Sequence, residues 1–332
     1  MSGITMRDIG KKVGVSAVTV SKALAGKAGV SEEMRQKIVR IAAEMGYVNP
    51  LSVQNREKRA LDVGILVPEH FFGKDSFYAM FYKQLVQALT EAGHFALMEL
   101  LDSYEEDQLV LPKLLRSSHV DALILLGQPS KDYMRMIAGE SIPVVFLDFY
   151  DEQASADSVV GDNSYGCYRL TSHLIKNGHK DIGFLGNIRA TSSIMDRYLG
   201  YYKAMLSHDL PIREECIIKD RENQQEFESF DLPEKLPTAF VCNCDLIARR
   251  LINQLKQSGV RVPEDVSVVG FDDDSSGSNG SPALSTFRVD SAAMAQTAVR
   301  LVDDRCAGVQ KPFGRVVVGG MPIYRESEIP LK

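Results

Sequence analysis

The segment 17–24 carries residue types that can read the major groove of duplex DNA. Its small side chains would let a helix sit deep in the groove. Ala17 or Val18 can touch a thymine methyl group, and Lys22 can donate to guanine O6 and N7. Short hydroxyls near helix starts suit phosphate oxygens. These hydroxyls belong to Thr5, Ser16, Thr19 and Ser21.

A second set of charged residues lies far along the chain. Asp148 and Asp272 each follow a predicted strand, and Arg197 lies near the start of a predicted helix. A carboxylate can accept two hydrogen bonds from a vicinal diol, and an arginine can donate two. The set is therefore typical of a site for a polar small molecule. The alternative is that these charges pair with each other or brace the fold.

The net charge of −6 divides unevenly along the chain. Residues 1–60 hold eleven Lys/Arg and five Asp/Glu, whereas the remaining residues hold 27 and 39. A basic N-terminal segment on an acidic body predicts that only the former approaches a polyanion. Basic faces are often only solvated by water, so the charge asymmetry by itself is weak evidence of DNA binding.

Three short helices are expected in residues 1–46. Thr5 and Asp8 form a capping box for the first helix, which Gly14 ends. Ser16 caps the second helix and Ser31 caps the third. Two short helices joined by a glycine turn and braced by a third form a helix-turn-helix; the alternative is a generic bundle whose hydroxyls only cap. The second helix would bury Val20, Ala23 and Leu24.

From residue 61 onward, strands and helices alternate. Continuous apolar runs are typical of parallel strands covered on both faces. The pattern predicts two doubly wound α/β lobes that share a cleft at their strand ends. Strands are expected at 63–67, 95–101, 122–126, 144–147, 182–185, 239–242, 266–271, 315–318 and 321–324. Helices are expected at 77–92, 105–116, 130–138, 163–176, 194–207, 245–258 and 291–306.

The N-terminal segment contains a series of short motifs at fixed spacing, which are Met6-Arg7-Asp8-Ile9-Gly10, Gly14-Val15-Ser16, Thr19-Val20-Ser21, Val30-Ser31 and Gly46-Tyr47. The body contains Asp162-Asn163, Gly178-His179, and the segments 197–201 and 262–273. The N-terminal motifs resemble the head of the LacI/GalR family of bacterial transcription regulators, and their spacing matches without a gap. The body motifs resemble the periplasmic-binding-protein-like (type I) effector domain of the same family.

The resemblance implies which residues line the effector cleft. Arg197 and Asp272 match effector-binding positions, and segment 76–78 lies where relatives line the cleft from the first lobe. Aromatic faces there suit the apolar faces of sugar rings. The implied effector-binding set is Ser76, Phe77, Tyr78, Asp148, Arg197, Cys244, Asp245 and Asp272.

Residues 48–61 form a polar linker in which Asn49 precedes a proline and is restricted to extended conformations. In the resembled family, a hinge helix here orders on operator DNA and inserts a leucine into the minor groove. Arg56 stands in place of that leucine, and Val53 replaces a usual alanine. The resemblance implies that Asn49, Val53 and Arg56 are the DNA-binding residues of the linker. An arginine enters a narrow minor groove by charge but is a poor apolar wedge. We expect Arg56 to read groove width or a phosphate; the alternative is a solvated side chain.

Cys244 is a second departure from the family, because relatives usually carry asparagine immediately before Asp245. A thiol is a weak hydrogen-bonding group, so sugar specificity does not carry over from relatives. We expect the side chain of Asn243 to point elsewhere. Cys242 and Cys244 are expected to be buried thiols, because no second Cys/His pair stands at metal spacing.

The sequence favours neither an enzyme nor a cofactor or metal. It contains no nucleophile elbow, Walker A loop, dinucleotide-binding fingerprint or HExxH motif. The run Asp272–Asp274 is similar to the start of a calcium loop, but Ala283 holds the place of the final glutamate. Without an apolar run of membrane length or an apolar leader, a cytoplasmic protein with reduced cysteines is expected.

The resemblance implies a DNA-binding repressor of carbohydrate genes that acts as a homodimer and senses a sugar. One alternative is the same kind of regulator controlled by a protein co-effector or a non-sugar metabolite. Another is a solute-binding protein, which the basic head argues against. The expected domains are a helix-turn-helix head (1–47), a linker (48–61) and an effector domain (62–332). Its first lobe covers about 62–158 and 290–320, and its second lobe about 159–289 and 321–332.

Replacing Arg56 with alanine should weaken operator binding and lower the slope of log affinity against log salt by about one, because each neutralised phosphate releases about one counterion. Fluorescence anisotropy at several salt concentrations measures both quantities, with Lys256→Ala in the acidic body as the control. Unchanged affinity and slope would show that Arg56 is solvated and uninvolved.

Overall fold

The computed structural model describes residues 5–24, 30–45, 59–72, 77–117, 119–222, 225–274 and 282–331. The chain divides into two compact units, Met1–Arg59 and Ala60–Lys332, and each has its own hydrophobic core. Four residues with predicted roles lie outside the described residues, so those roles stay predictions: Asn49, Val53, Arg56 and Ser76.

The first unit contains helices α1 (Met6–Val13), α2 (Ala17–Leu24) and α3 (Glu32–Glu44). The predicted cap of α1 is confirmed, because the Asp8 carboxylate accepts from the Thr5 backbone N–H at 2.9 Å and from its hydroxyl at 2.6 Å. Gly14 ends α1 with a φ of 81°, a conformation that favours glycine. The buried core joins all three helices through Ile9, Val20, Ala23, Ile38 and Ala42.

The second unit alternates strands and helices. Its strands are β1 (Asp62–Pro68), β2 (Phe95–Leu101), β3 (Ala122–Leu126), β4 (Val144–Leu147), β5 (Asp157–Gly161), β6 (Ile182–Leu185), β7 (Ile217–Ile218), β8 (Arg221–Glu222), β9 (Gln225–Glu226), β10 (Ala239–Cys242), β11 (Ser267–Val269), β12 (Thr286–Val289), β13 (Arg315–Val318) and β14 (Gly320–Ile323). Its helices are α4 (Phe77–Glu91), α5 (Ser103–Asp107), α6 (Lys113–Arg116), α7 (Lys131–Ala138), α8 (Asn163–Lys176), α9 (Ser192–Ser207), α10 (Asp245–Gln257) and α11 (Ser291–Cys306).

Two parallel sheets confirm the predicted pair of doubly wound lobes. The first-lobe sheet has the order β13-β5-β4-β3-β1-β2, and the second-lobe sheet has the order β11-β10-β6-β7. Strands β12 and β14 form a separate antiparallel pair. Helix α11 packs against α4 and the first-lobe strands, as predicted. The carboxyl ends of parallel strands are where open α/β folds bind ligands.

Three expectations about elements were wrong. The helix predicted over 105–116 is two short helices, α5 and α6, because Pro112 cannot continue a helix and begins the second one. The strand β5 was missed and extends the first sheet to Gly161, beyond the expected lobe boundary at 158. It begins with polar Asp157, whose burial depends on an ion pair with Arg305 at 2.7 Å. The strand predicted over 266–271 is shorter, Ser267–Val269.

Gly200 on α9 lies against α8 so closely that alanine should destabilise the protein. A Cβ at Gly200 would stand 2.1 Å from the backbone oxygen of Ser164. Relief requires α8 and α9 to separate, so we expect a loss of about 1–3 kcal/mol in the free energy of unfolding. Urea denaturation of Gly200→Ala measures it. Gly314→Ala is the control, since a Cβ there meets nothing within 4 Å; equal stability of both variants would contradict the prediction.

Candidate functional site

Helix α2 presents a mixed surface on the first unit. Val18 is 65% exposed, and Lys22 is also exposed. Ala17 and Ser21 are partly buried. Arg35 of α3 donates to the Ala23 carbonyl at 3.3 Å and so holds the last turn of α2 against the bracing helix. The predicted major-groove residues therefore share one helix whose orientation the head core fixes.

The hydroxyls predicted to contact phosphate lie at the starts of α1 and α2. Ser16 accepts from the Thr19 backbone N–H at 3.1 Å, which confirms its role as a helix cap. The hydroxyls of Ser16 and Thr19 also share a hydrogen bond of 2.9 Å. Thr5 and Ser16 remain exposed. Capping leaves each hydroxyl oxygen with further hydrogen-bonding capacity, so phosphate contact stays a prediction.

In the second unit, the first lobe contributes an aspartate and a tyrosine to the cleft between the lobes. The Tyr78 hydroxyl donates to Asp148 at 2.7 Å. Asp148 directly follows β4 and has a φ of 74°, a strained conformation for a non-glycine residue. Burial raises the pKa of the Asp148 carboxyl, while the nearby Arg197 guanidinium and the tyrosine hydroxyl oppose that rise. Phe77 packs edge-on against Tyr78 and Phe81.

Arg197 of α9 is the centre of the second-lobe side. Its guanidinium donates to Asn163 at 2.8 Å, to the Asn243 carbonyl at 2.6 Å and to Asp272 at 3.0 Å. It also stacks on the Phe271 ring at 4.0 Å. The pairing of Arg197 with Asp272 is the alternative that the sequence left open. Only 5% of Arg197 is exposed, so the pair is held in place and shielded from water.

Asp272 is held at the cleft by its own backbone. Its N–H bonds to the Phe287 carbonyl at 2.8 Å, and its φ is 107°. Burial raises the pKa of the Asp272 carboxyl, although Arg197 acts in the opposite direction. Tyr78 with Asp148 and Arg197 with Asp272 are thus two hydrogen-bonded pairs, and the charge of Arg197 acts on Asp148. We call these four residues the inner cluster.

Asp245 and Cys244 do not join the inner cluster in the same way. The Asp245 carboxylate accepts from the Thr286 hydroxyl at 2.6 Å and from the Asp274 N–H at 2.9 Å, both within the second lobe. Cys244 precedes α10 and makes no side-chain capping bond. Cys242 is buried as expected, but Cys244 is only partly buried, so the expectation of a buried thiol was wrong there.

Three further polar residues belong to this region and were missed as site residues. Asn163 binds Arg197, and Asp220 accepts from the Asn243 amide at 2.8 Å, which confirms that Asn243 points away from the position of Cys244. Arg221 is 6% exposed and bonds to Asp220 at 2.9 Å. Asn163 lies in the Asp162-Asn163 motif and could have been found from the sequence. Arg221 lies on β8, a strand of two residues that is too short to show an alternating pattern.

A cavity of 1090 Å³, which we call the outer cavity, is lined by residues of both lobes and by none of the four residues of the inner cluster. Its first-lobe wall includes His70, Ser103, Glu106, Asp107 and Ser130. Its second-lobe wall includes residues 186–190, Ile217, Lys219 and Glu222.

Within the described residues, no group of three His, Cys, Asp or Glu side chains is arranged to hold a metal ion. No helix in the described ranges is long and apolar enough to cross a membrane.

Two family models match the chain. Residues 5–49 match the model of bacterial regulatory proteins of the lacI family. Residues 171–328 match the model of a periplasmic binding protein-like domain. The first match covers the helix-turn-helix head, and the second covers most of the second lobe together with α11.

Similar proteins extend this likeness over nearly the whole chain. The HTH-type transcriptional repressor PurR of Actinobacillus pleuropneumoniae serotype 3 is 28% identical over 91% of this chain and 90% of its own length. The ribose operon repressor of Haemophilus influenzae is 28% identical over 99% of both chains. A solved complex of the transcriptional regulator CelR with cellobiose is 25% identical, with a TM-score of 0.70 over 98% of this chain and 99% of that one.

Asp245 should make stability depend on pH. Burial raises the pKa of its carboxyl to about 7, from an ordinary value near 3.8. Because the folded state holds this proton more tightly, its contribution to stability is full below about pH 4 and is lost as pH rises through about 7. Replacing Asp245 with asparagine should flatten the fall in unfolding free energy over that range by up to ~1.4 kcal/mol per pH unit.

Urea denaturation from pH 4 to pH 8 measures this difference. Asp231→Asn, at an exposed position of the same lobe, is the control. An unchanged slope in Asp245→Asn would show that the carboxyl ionises normally in the folded protein.

Proposed function

Because the chain belongs to the LacI family of bacterial regulatory proteins, we propose that it is a DNA-binding transcriptional repressor of carbohydrate genes, controlled by a sugar in the cleft of its two-lobed body. The observation that carries the proposal is the combination of a lacI-family head with the buried polar inner cluster. The proposed protein acts in the cytoplasm and is not an enzyme.

The head supplies the DNA reader. Val18 and Lys22 are exposed on α2, where an apolar side chain can meet a thymine methyl and a lysine can reach guanine. Thr5, Ser16 and the linker would contact phosphates or the minor groove. One head makes few contacts, so we propose a homodimer that reads a pseudo-palindromic operator with both heads.

The inner cluster supplies the effector site. Asp148 and Asp272 come from different lobes, and Arg197 and Tyr78 lie beside them. A sugar can bridge such groups, because its vicinal hydroxyls both donate to carboxylates and accept from arginine. The names of two similar proteins, a ribose operon repressor and a CelR–cellobiose complex, agree with a sugar.

Control would follow from contacts that cross between the lobes. The Ser193 hydroxyl donates to the Asp148 carbonyl at 2.6 Å, and Tyr150 donates to Asp196 at 3.0 Å. Both second-lobe partners lie on α9, one turn or less from Arg197. An effector that binds Arg197 would therefore favour one lobe arrangement over another and shift the population competent for DNA.

Two alternatives keep the same DNA-binding head. A non-sugar metabolite could use the same donors and acceptors, and a protein co-effector would act on the outside of the body. A third alternative, a solute-binding protein, would share the fold of the body but would not need a DNA-binding head.

Lys22→Ala should weaken binding to the operator by about tenfold or more, because one lost bidentate base contact costs roughly 1–3 kcal/mol. Gel shifts with the DNA upstream of the encoding gene measure this loss, with and without candidate sugars. Lys256→Ala on α10 is the control and should bind as the unchanged chain does.

The gel shifts with added sugars distinguish the proposal from its alternatives. A sugar that changes the shift supports the proposal, and a change produced only by a non-sugar metabolite or an added protein supports the other effectors. If the full chain shifts no DNA under any condition yet binds sugar, the solute-binding reading stands instead.

A further inference from the structure

We propose that the outward surface of α8 and α9 is a docking site for an acidic, amphipathic segment of another protein. The inference goes beyond the proposed function and does not depend on what fills the cleft. It is carried by exposed aromatic and apolar side chains on two adjoining helices, by the cations set among them and by the scarcity of acidic residues on both helices.

One stripe of α9 is largely apolar and exposed. Leu199, Tyr202, Lys203 and Leu206 stand at positions i, i+3, i+4 and i+7, which share one face of a helix. All four residues are exposed, and Leu206 is 64% exposed. Single exposed apolar residues are ordinary, but a contiguous set is typical of a protein interaction surface.

A second stripe, on α8, adjoins the first. It holds Tyr165, Tyr168 and Arg169, and the centroids of its two tyrosine rings lie 6.3 Å apart. The Arg169 guanidinium lies 5.9 Å from the centroid of the Tyr165 ring. The Lys203 ammonium of α9 lies 5.5 Å from the centroid of the Tyr168 ring, so it joins the two stripes. We call these three residues and the four of α9 the aromatic face.

The aromatic face is built on two tightly packed helices. Gly200 lets α9 lie against the backbone of α8 at Ser164. The buried Tyr201 anchors α9 from within, because its hydroxyl donates to the Ile182 carbonyl of β6 at 2.7 Å. A partner would therefore meet a pre-formed surface, which lowers the entropy lost on binding.

The aromatic face is cationic, although the body that carries it is acidic. Helix α8 contains no Asp or Glu, and the single acidic residue of α9, Asp196, accepts from the Tyr150 hydroxyl at 3.0 Å. Within the described ranges, neither Arg169 nor Lys203 has a carboxylate partner. Residues after position 60 hold 27 basic and 39 acidic side chains. An acidic segment would thus be attracted to this face and repelled by the body as a whole.

The residue types of the aromatic face define the chemistry of the partner. Tyrosine and arginine are enriched among the interface residues that contribute most to binding. Apolar side chains of the partner would cover Leu199 and Leu206. Its carboxylates would pair with Arg169 and Lys203. An amphipathic helix with acidic residues beside its apolar stripe supplies both kinds of group.

Two other occupants fit this face less well. If two copies of the chain met through it, Arg169 and Lys203 of both copies would face each other without acids between them, and bringing like charges together is unfavourable. A nucleic acid could stack on the tyrosine rings, but its row of phosphates would also meet the acidic body. The exposed leucines would gain nothing from phosphates.

Binding of a synthetic peptide to the full chain tests the proposal. The probe is a fluorescein-labelled peptide of about 18 residues, long enough to form a helix, with a stripe of leucine flanked by glutamate. The matched peptide carries lysine in place of every glutamate. By fluorescence anisotropy, we expect saturable binding of the glutamate peptide that added salt weakens, and about tenfold or more weaker binding of the lysine peptide.

Lys203→Glu should weaken binding of the glutamate peptide about fivefold or more, because repulsion replaces an attraction. Lys256→Glu makes the same charge change at an exposed position of α10 and should leave the affinity unchanged. The lysine peptide should gain affinity for Lys203→Glu but not for Lys256→Glu, since reversing both partners restores the attraction.

Leu206→Ser tests the apolar part of the aromatic face. It should weaken binding of the glutamate peptide about fivefold, because less apolar surface is buried. Val309→Ser, at an exposed apolar position that follows α11, is the matched control and should change nothing. All four variants should bind operator DNA as the unchanged chain does, since none of them alters the head.

Failure of the glutamate peptide to bind, equal binding of both peptides, or equal effects of Lys203→Glu and Lys256→Glu overturns this proposal and leaves the proposed function intact. A smaller assembly of Lys203→Glu than of the unchanged chain in sedimentation velocity assigns the face to a second copy. Binding of oligo-dT that is weakened by Lys203→Glu but not by Lys256→Glu assigns it to a nucleic acid. Either of these results also overturns the proposal.

Discussion

The buried guanidinium of Arg197 is the interaction on which the cleft depends. It reaches the start of α8 through Asn163, the end of β10 through Asn243 and the segment after β11 through Asp272. A buried cation is stable only when it is paired and hydrogen-bonded, and removing one partner of such a pair costs about 3–5 kcal/mol. One side chain therefore joins the start of α8 to the segments that follow β10 and β11.

The same helix also fastens the second lobe to the first. The first turns of α9 contact Asp148 through Ser193 and Tyr150 through Asp196, while Arg197 lies one turn from Ser193. Gly200 lets this helix lie directly on α8. A ligand that displaces or strengthens a bond of Arg197 would act on the helix that contacts the first lobe, which is the physical basis for coupling the cleft to the head.

The two units differ in the sign of their net charge. The basic head attracts a polyanion, and the acidic body repels it and limits non-specific adhesion. Inside the body, acidic side chains are confined by cations from distant elements, as in the pair of Asp157 with Arg305 and that of Asp273 with Arg325. Desolvation raises the pKa of the buried cleft acids, so the cleft depends on ligand or protein donors to keep its carboxylates charged.

Local sequence determined the parts of the protein that local physics controls. Caps at Thr5 and Ser16 predicted the head helices, apolar runs predicted most strands of both lobes, and strand ends predicted the positions of Asp148 and Asp272. These signals act over a few residues, within the reach of periodicity and capping.

Only the tertiary structure decided which distant groups meet. Asp245 binds Thr286 rather than joining the inner cluster, and Arg197 finds Asp272, 75 positions away. The buried Asp157 that begins β5 is paired with Arg305, 148 positions along the chain. Burial changes the energy of each charge by removing water, and the partner that compensates for that loss is set by packing, so no local pattern could reveal it.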